Sequence, residues 1–152
     1  MKKLLIIITV ITSVFLVSCD SQKASKLNEK IVVIQNNLAM QIRNNPIDLD
    51  GGNNASRLKQ VSDFAKGKIE EIKSAEAPSG GEDFKNAMIN NLQSIHDLYE
   101  YAIKLTNPKL TEDEKSKIET EITVMYAKAT VVENKVMEEQ RKFAKKYNFK
   151  LR

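Results

Sequence analysis

Residues 27–42 read LNEKIVVIQNNLAMQI, and five apolar side chains within them, Leu27, Ile31, Ile34, Leu38 and Ile42, recur at intervals of three or four. That spacing returns to one face of an α-helix at every turn, whereas a half-buried strand would alternate with a period of two. The stretch therefore predicts an amphipathic helix with one buried stripe. It must stop before Pro46, because the residue preceding a proline is pushed out of the α region.

The same period returns three more times. Leu58, Val61, Ala65, Ile69 and Ile72 predict a second helix over about 55–75, set off from the first by NNPIDLDGGNN (44–54), which is dense in turn formers. APSGGED (77–83), with Pro78, Gly80 and Gly81, ends it. A third helix over about 82–106 opens on Glu82 and Asp83, favourable to its dipole, and carries Phe84, Met88, Asn91, Ile95, Leu98, Ala102 and Leu105 as its stripe. Asn91 either specifies register on that seam, at a cost in stability, or is bypassed by a rotated stripe using Leu92 and Tyr99. Pro108 closes the region, and LTEDEK (110–115) opens a fourth helix with Thr111 and Glu114 at capping-box spacing. Its seam runs Ile118, Ile122, Met125, Ala129, Val132, Val136 and then Phe143. Glu139 and Gln140 interrupt it one turn before Phe143, so the helix is expected to fray, bend or overhang there.

A chain of 152 residues is one domain in size. With 5 Gly, 3 Pro and no Trp, it is poor in the residues of turn-rich β folds. Four amphipathic helices with short connections predict an all-α, antiparallel up-down-up-down four-helix bundle over 25–147, because short loops force antiparallel neighbours.

The amino terminus has another character. Lys2 and Lys3 precede LLIIITVITSVFLV (4–17), an apolar run shorter than the roughly 20 residues of a spanning helix and arranged like a secretory signal. It ends in Leu16-Val17-Ser18-Cys19, which resembles the lipobox of bacterial lipoproteins. The resemblance implies that residues 1–18 are removed as a signal peptide and that Cys19 carries a diacylglycerol on its sulfur and becomes the acylated amino terminus. It also implies a location in the bacterial cell envelope, lipid-anchored to a membrane and facing the periplasm or the cell exterior. A single acyl chain, at ~0.8 kcal/mol per buried CH₂, anchors only marginally, which is why such proteins carry more than one. Residues 19–24 would then be the lipidated terminus and a short polar link. The competing reading makes Cys19 a small buried hydrophobe in an uncleaved helix. With a single cysteine, no disulfide can form within the chain. Asp20, directly after it, resembles an inner-membrane retention signal of some bacteria, whereas in others sorting differs.

Charge limits the partners. Loss of Lys2 and Lys3 lowers 24 basic residues to 22 against 20 acidic, taking the formal net charge from +4 to +2 and weighing against a nucleic-acid partner. The remaining cations gather in RKFAKKYNFKLR (141–152), where Arg141, Lys142, Lys145, Lys146, Lys150 and Arg152 meet no acid and alternate with aromatics; 148–152 form the tail beyond the bundle. The bundle topology places this segment near Cys19. Either it lies against a membrane surface or envelope polymer, or its cations complement the helix dipole while its aromatics cap the core.

No constellation carries chemistry. Asp48 and Asp50 sit in a loop suited to a partner contact, but counted from Asp48 the fifth and twelfth positions of a calcium loop would be Gly52 and Lys59. His96 has Gln93 three residues before it, so the Glu-x-x-His of di-iron bundles is missing. Haem would need His96 with Met40, Met88 or Met125 as axial ligands, against the ordinary alternative of a half-exposed histidine paired with Glu100. An activated nucleophile, which needs a base beside it, is not recognisable. The carboxylate pairs Glu70 with Glu71 and Glu138 with Glu139 read as solvated faces. The expectation is thus a non-enzymatic, membrane-anchored protein with no catalytic, metal or cofactor residues, resembling small helical envelope lipoproteins. It would act through surface contacts with an envelope protein or polymer. The alternative is a periplasmic ligand-binding protein, for haem as an example, or a chaperone-like stress protein.

Overall fold

In the computed structural model, which describes residues 2–49 and 52–149 and side chains from Cys19 onward, α1 spans Lys2–Asn44, α2 Ala55–Lys73, α3 Glu82–Ala102 and α4 Glu112–Tyr147. A 3-10 turn, Ile103–Thr106, continues α3. The chain is an all-helical four-helix bundle, with no strand among the described residues.

Local chemistry accounts for the helix ends. Pro46 stops α1 at Asn44, and Asn45 satisfies the last turn through its main-chain and side-chain N–H groups, each 3.0 Å from the Gln41 carbonyl. At the start of α2 the Asn54 side chain accepts from the Arg57 N–H at 3.1 Å. Thr111 and Glu114 form the expected capping box on α4: the Glu114 carboxylate accepts from the Thr111 N–H at 2.9 Å while the Thr111 hydroxyl accepts from the Glu114 N–H at 3.3 Å. Caps of this kind contribute about 1 kcal/mol each.

The apolar stripes meet in two adjoining clusters. One draws on all four helices, through Leu27, Ile31 and Ile34 of α1, Ile69 and Ile72 of α2, Met88 and Leu92 of α3, and Val136 and Phe143 of α4. The other joins Leu58 and Val61 to Leu98, Tyr99 and Ile122. Burying each such side chain contributes roughly 1.5–3 kcal/mol. α3 packs broadly on both α2 and α4, so it needs a wider buried face than one stripe provides: Asn91, Leu92 and Tyr99 are all buried. α1 rests on α2 and α3 and leaves a crevice along α4.

α1 is helical through residues 19–24, and Ala24 is fully buried, three residues before Leu27 on the same stripe. Nothing in DSQKAS breaks a helix, and the stripe gains a turn by continuing. The expectation that α4 frays at its polar gap is corrected: the helix runs unbroken to Tyr147. Glu139, expected on a solvated face, instead occupies the seam at 7% exposure, its carboxylate held by Lys135 at 2.8 Å and Lys142 at 2.9 Å, so the two cations neutralise a buried acid.

Candidate functional site

The sequence directs attention to the end of the bundle that carries Cys19. Its side chain is exposed. One residue on, the Asp20 carboxylate accepts from the Ser79 N–H at 3.3 Å and lies 3.4 Å from the Tyr147 hydroxyl. That hydroxyl has one proton, and its shorter contact, 2.8 Å to the Ser79 carbonyl, is the better acceptor. Burial, reinforced by the Asp20 charge, raises the Tyr147 pKa above its ordinary value. The start of α1's described side chains, the α2–α3 connection and the end of α4 are thereby tied together.

The cations of 141–152 divide. Lys142 is paired with Glu138 at 2.5 Å and Glu139 at 2.9 Å, which raises its pKa. Lys146 donates to the Ser79 carbonyl at 2.7 Å. Arg141 and Lys145 are exposed and make no ion pair with the described residues. Lys150 and Arg152 lie outside the described residues. The interleaved aromatics turn inward: Phe143 is 2% exposed and stands 5.3 Å from Phe84, 5.0 Å from Tyr147 and 5.9 Å from Phe149, between ring centroids. Asn148 makes this packing feasible. At φ 56° it adopts the left-handed conformation that Asn tolerates, and the Phe149 N–H returns to the Ala144 carbonyl at 2.9 Å, folding the chain back on Phe143.

Beside Cys19, a cleft of about 410 Å³ is lined by Lys23, Lys26 and Lys30 on α1 and by Ala75 and Glu76. Lys23 pairs with Glu76 at 2.9 Å. The hydrogen bond from Lys23 lowers the Glu76 pKa, and its counterpart raises that of Lys23.

At the far end, the Asp48 carboxylate accepts from the Gly52 N–H at 3.0 Å, the Asp48 N–H donates to the Asn53 side chain at 2.9 Å, and the Asn53 amide returns a hydrogen bond to the Asp48 carbonyl. Asp48 therefore organises its own turn, and Asp50 lies outside the described residues. Among the described residues no group of three or more His, Cys, Asp or Glu side chains is placed to hold a metal. None of the described helices is long and apolar enough to cross a membrane.

His96 is not paired directly with Glu100 as expected. Its Nδ1 lies 2.8 Å from the Ser62 hydroxyl and 3.2 Å from the Ser62 carbonyl; a carbonyl only accepts, so Nδ1 carries the proton. The Ser62 hydroxyl in turn donates to Glu100, whose pKa falls below the carboxylate range chiefly through that bond and further through Lys59. Ser62 is fully buried and its proton is committed to a carboxylate, so the cluster bridges α2 and α3 and offers no free nucleophile. Its signal in the sequence is a serine beside Val61 on the buried stripe of α2.

The crevice between α1 and α4 is the feature the sequence did not announce. Its middle, about 300 Å³, is lined by Leu38, Ile95 and Ala129 with Gln35, Arg43, Asn91 and Glu133. It shares Ile42, Tyr99 and Tyr126 with an apolar stretch of about 550 Å³ under Pro46, Ile47, Leu49 and Ile122.

Compared with known proteins, the chain matches no family model, no curated protein and no solved structure.

Proposed function

We propose that the protein is a lipid-anchored, non-enzymatic component of a bacterial cell envelope, an up-down-up-down antiparallel bundle held to a membrane through Cys19. The observation that carries this reading is the pattern of two lysines, a short apolar run and Leu16-Val17-Ser18-Cys19, ending at a cysteine whose side chain is exposed at the end of the bundle. The alternating helix order is supported at both ends: Asp20 reaches Ser79 and Tyr147 at one, and Asn45 reaches Tyr99 at the other. Arg141 and Lys145, free of ion pairs among the described residues, lie on the last turns of α4, at the anchored end, where an anionic surface would attract them. The bundle then projects its α1–α2 loop away from the membrane, toward an envelope protein or polymer.

Haem binding is the weaker reading, because Met88 is fully buried and His96 lines neither part of the α1–α4 crevice. Intact-mass analysis of the protein from its native membranes tests the anchor. Loss of residues 1–18 with an acyl-sized mass on Cys19 is expected; a chain that keeps residues 1–18, or an unmodified cysteine, overturns the proposal.

A further inference from the structure

The α1–α4 crevice is lined by a polar side chain that no described residue satisfies. Asn91 is 6% exposed, yet its side-chain amide makes no hydrogen bond with any described residue; only its main-chain carbonyl is used, by Ser94. Neither amide atom is sealed from solvent, so the amide meets water in the crevice, and a ligand's polar group can take that water's place. The rest of the lining says what kind. Leu38, Ile42, Ile95 and Ile122 make an apolar floor, and the two connected stretches, about 300 and 550 Å³, fall within the roughly 300–1,000 Å³ of small-molecule sites. Arg43 and Glu133 line the same middle stretch, on α1 and α4, exposed and without an ion pair among the described residues. A singly anionic head would meet Arg43 but be repelled by Glu133, and a cationic head would suffer the reverse.

We infer that the α1–α4 crevice binds a single-chain amphiphile with a zwitterionic head, its chain lying over Ile42, Ile47 and Ile122, its head between Arg43 and Glu133, and a carbonyl or hydroxyl near the head bonded to the Asn91 amide. The site stands apart from the anchor, and its success or failure leaves the acylation of Cys19 untouched.

Titration calorimetry on the full chain carrying Cys19→Ser, with a twelve-carbon alkylphosphocholine below its micelle concentration, tests the site against alkanoate and alkyltrimethylammonium of equal chain length. The zwitterion is expected to bind at least tenfold more tightly than either singly charged amphiphile. Asn91→Leu should weaken it about tenfold. Ala39→Trp, placed at an exposed lining position so that the fold is kept, should abolish binding, with circular dichroism unchanged. Equal affinities for the three amphiphiles overturn the proposal, as does binding that survives Ala39→Trp, which would locate it on the apolar run 4–17. Self-association of the chain that Ala39→Trp removes, without amphiphile binding, overturns it in favour of a second copy in the crevice.

Discussion

The Tyr99 hydroxyl donates to the main-chain carbonyl of Asn45 across 3.1 Å, joining the last turns of α3 to the residue that ends α1. Both residues are buried, so the bond has no water to replace it. Tyr99→Phe should lower stability by about 1 kcal/mol in urea unfolding, without altering helix content. Burial also pushes the Tyr99 hydroxyl up to about 12, from an ordinary value near 10. The folded state thus holds this proton more tightly than the unfolded chain. Its contribution is complete below the unfolded value and is lost as pH climbs through about 12. An alkaline unfolding series should show that loss in the native sequence and a flatter limb in Tyr99→Phe.

Glu139 stands in an apolar seam only because Lys135 and Lys142 flank it. Their hydrogen bonds, that of Lys135 first, lower its pKa. A depressed carboxylate contributes stability above the unfolded value near 4.5, which is lost as pH falls through the folded value. Glu139→Leu should remove that acid-side loss and, by completing the seam, raise stability at neutral pH by about 1 kcal/mol. A neutral-pH destabilisation in chemical melts would show that the ion pairs outweigh the burial.

Two glycines should respond to alanine with opposite signs. A Cβ on Gly81 would come within 2.7 Å of the Pro78 ring and 3.1 Å of Phe143, neither of which can swing away. Gly81→Ala is expected to cost about 1–3 kcal/mol. Gly67, in mid-α2, has nothing within 4 Å of that position, and Gly67→Ala should stabilise by about 0.5–1 kcal/mol. Paired thermal melts decide the matter, each kcal/mol moving Tm by about 2–4 °C.

Deleting 141–152 would take Phe143 out of the core, so the proposed membrane contact of this segment is separable only by point changes. In the Cys19→Ser chain, reversing the charge of Arg141 and Lys145 together should reduce flotation with anionic vesicles several-fold and leave Tm unchanged. Lys146→Ala, which breaks the contact with Ser79, should lower Tm instead. Equal vesicle binding by the double reversal and the parent chain would leave these cations with a helix-dipole role alone.

Much of the architecture was legible in residue order. Apolar residues three and four apart, the prolines at 46, 78 and 108, and the Thr111–Glu114 cap act within a turn or two, so they mark the four helices and most of their ends. The pattern around Cys19 is equally local. Other features depend on what a neighbouring helix brings, and periodicity does not report that. Asn91 and Leu92 are both buried because α3 is flanked by α2 and α4 at once. Glu139 stays in the seam through cations four residues before it and three after, and the aromatics of 141–149 face inward because Asn148 reverses the chain onto Phe143.

By itself the sequence determined that this chain carries four amphipathic helical stripes and, ahead of them, an apolar run before Cys19, because helix period and breakers operate at short range. Only the tertiary structure decided that Ser62 engages His96, that Asp20 meets Ser79 and Tyr147, and that α1 stands off α4 over Asn91. Those relationships join residues 34 to 127 positions apart, and only the packing of complete helices sets which of them come within reach.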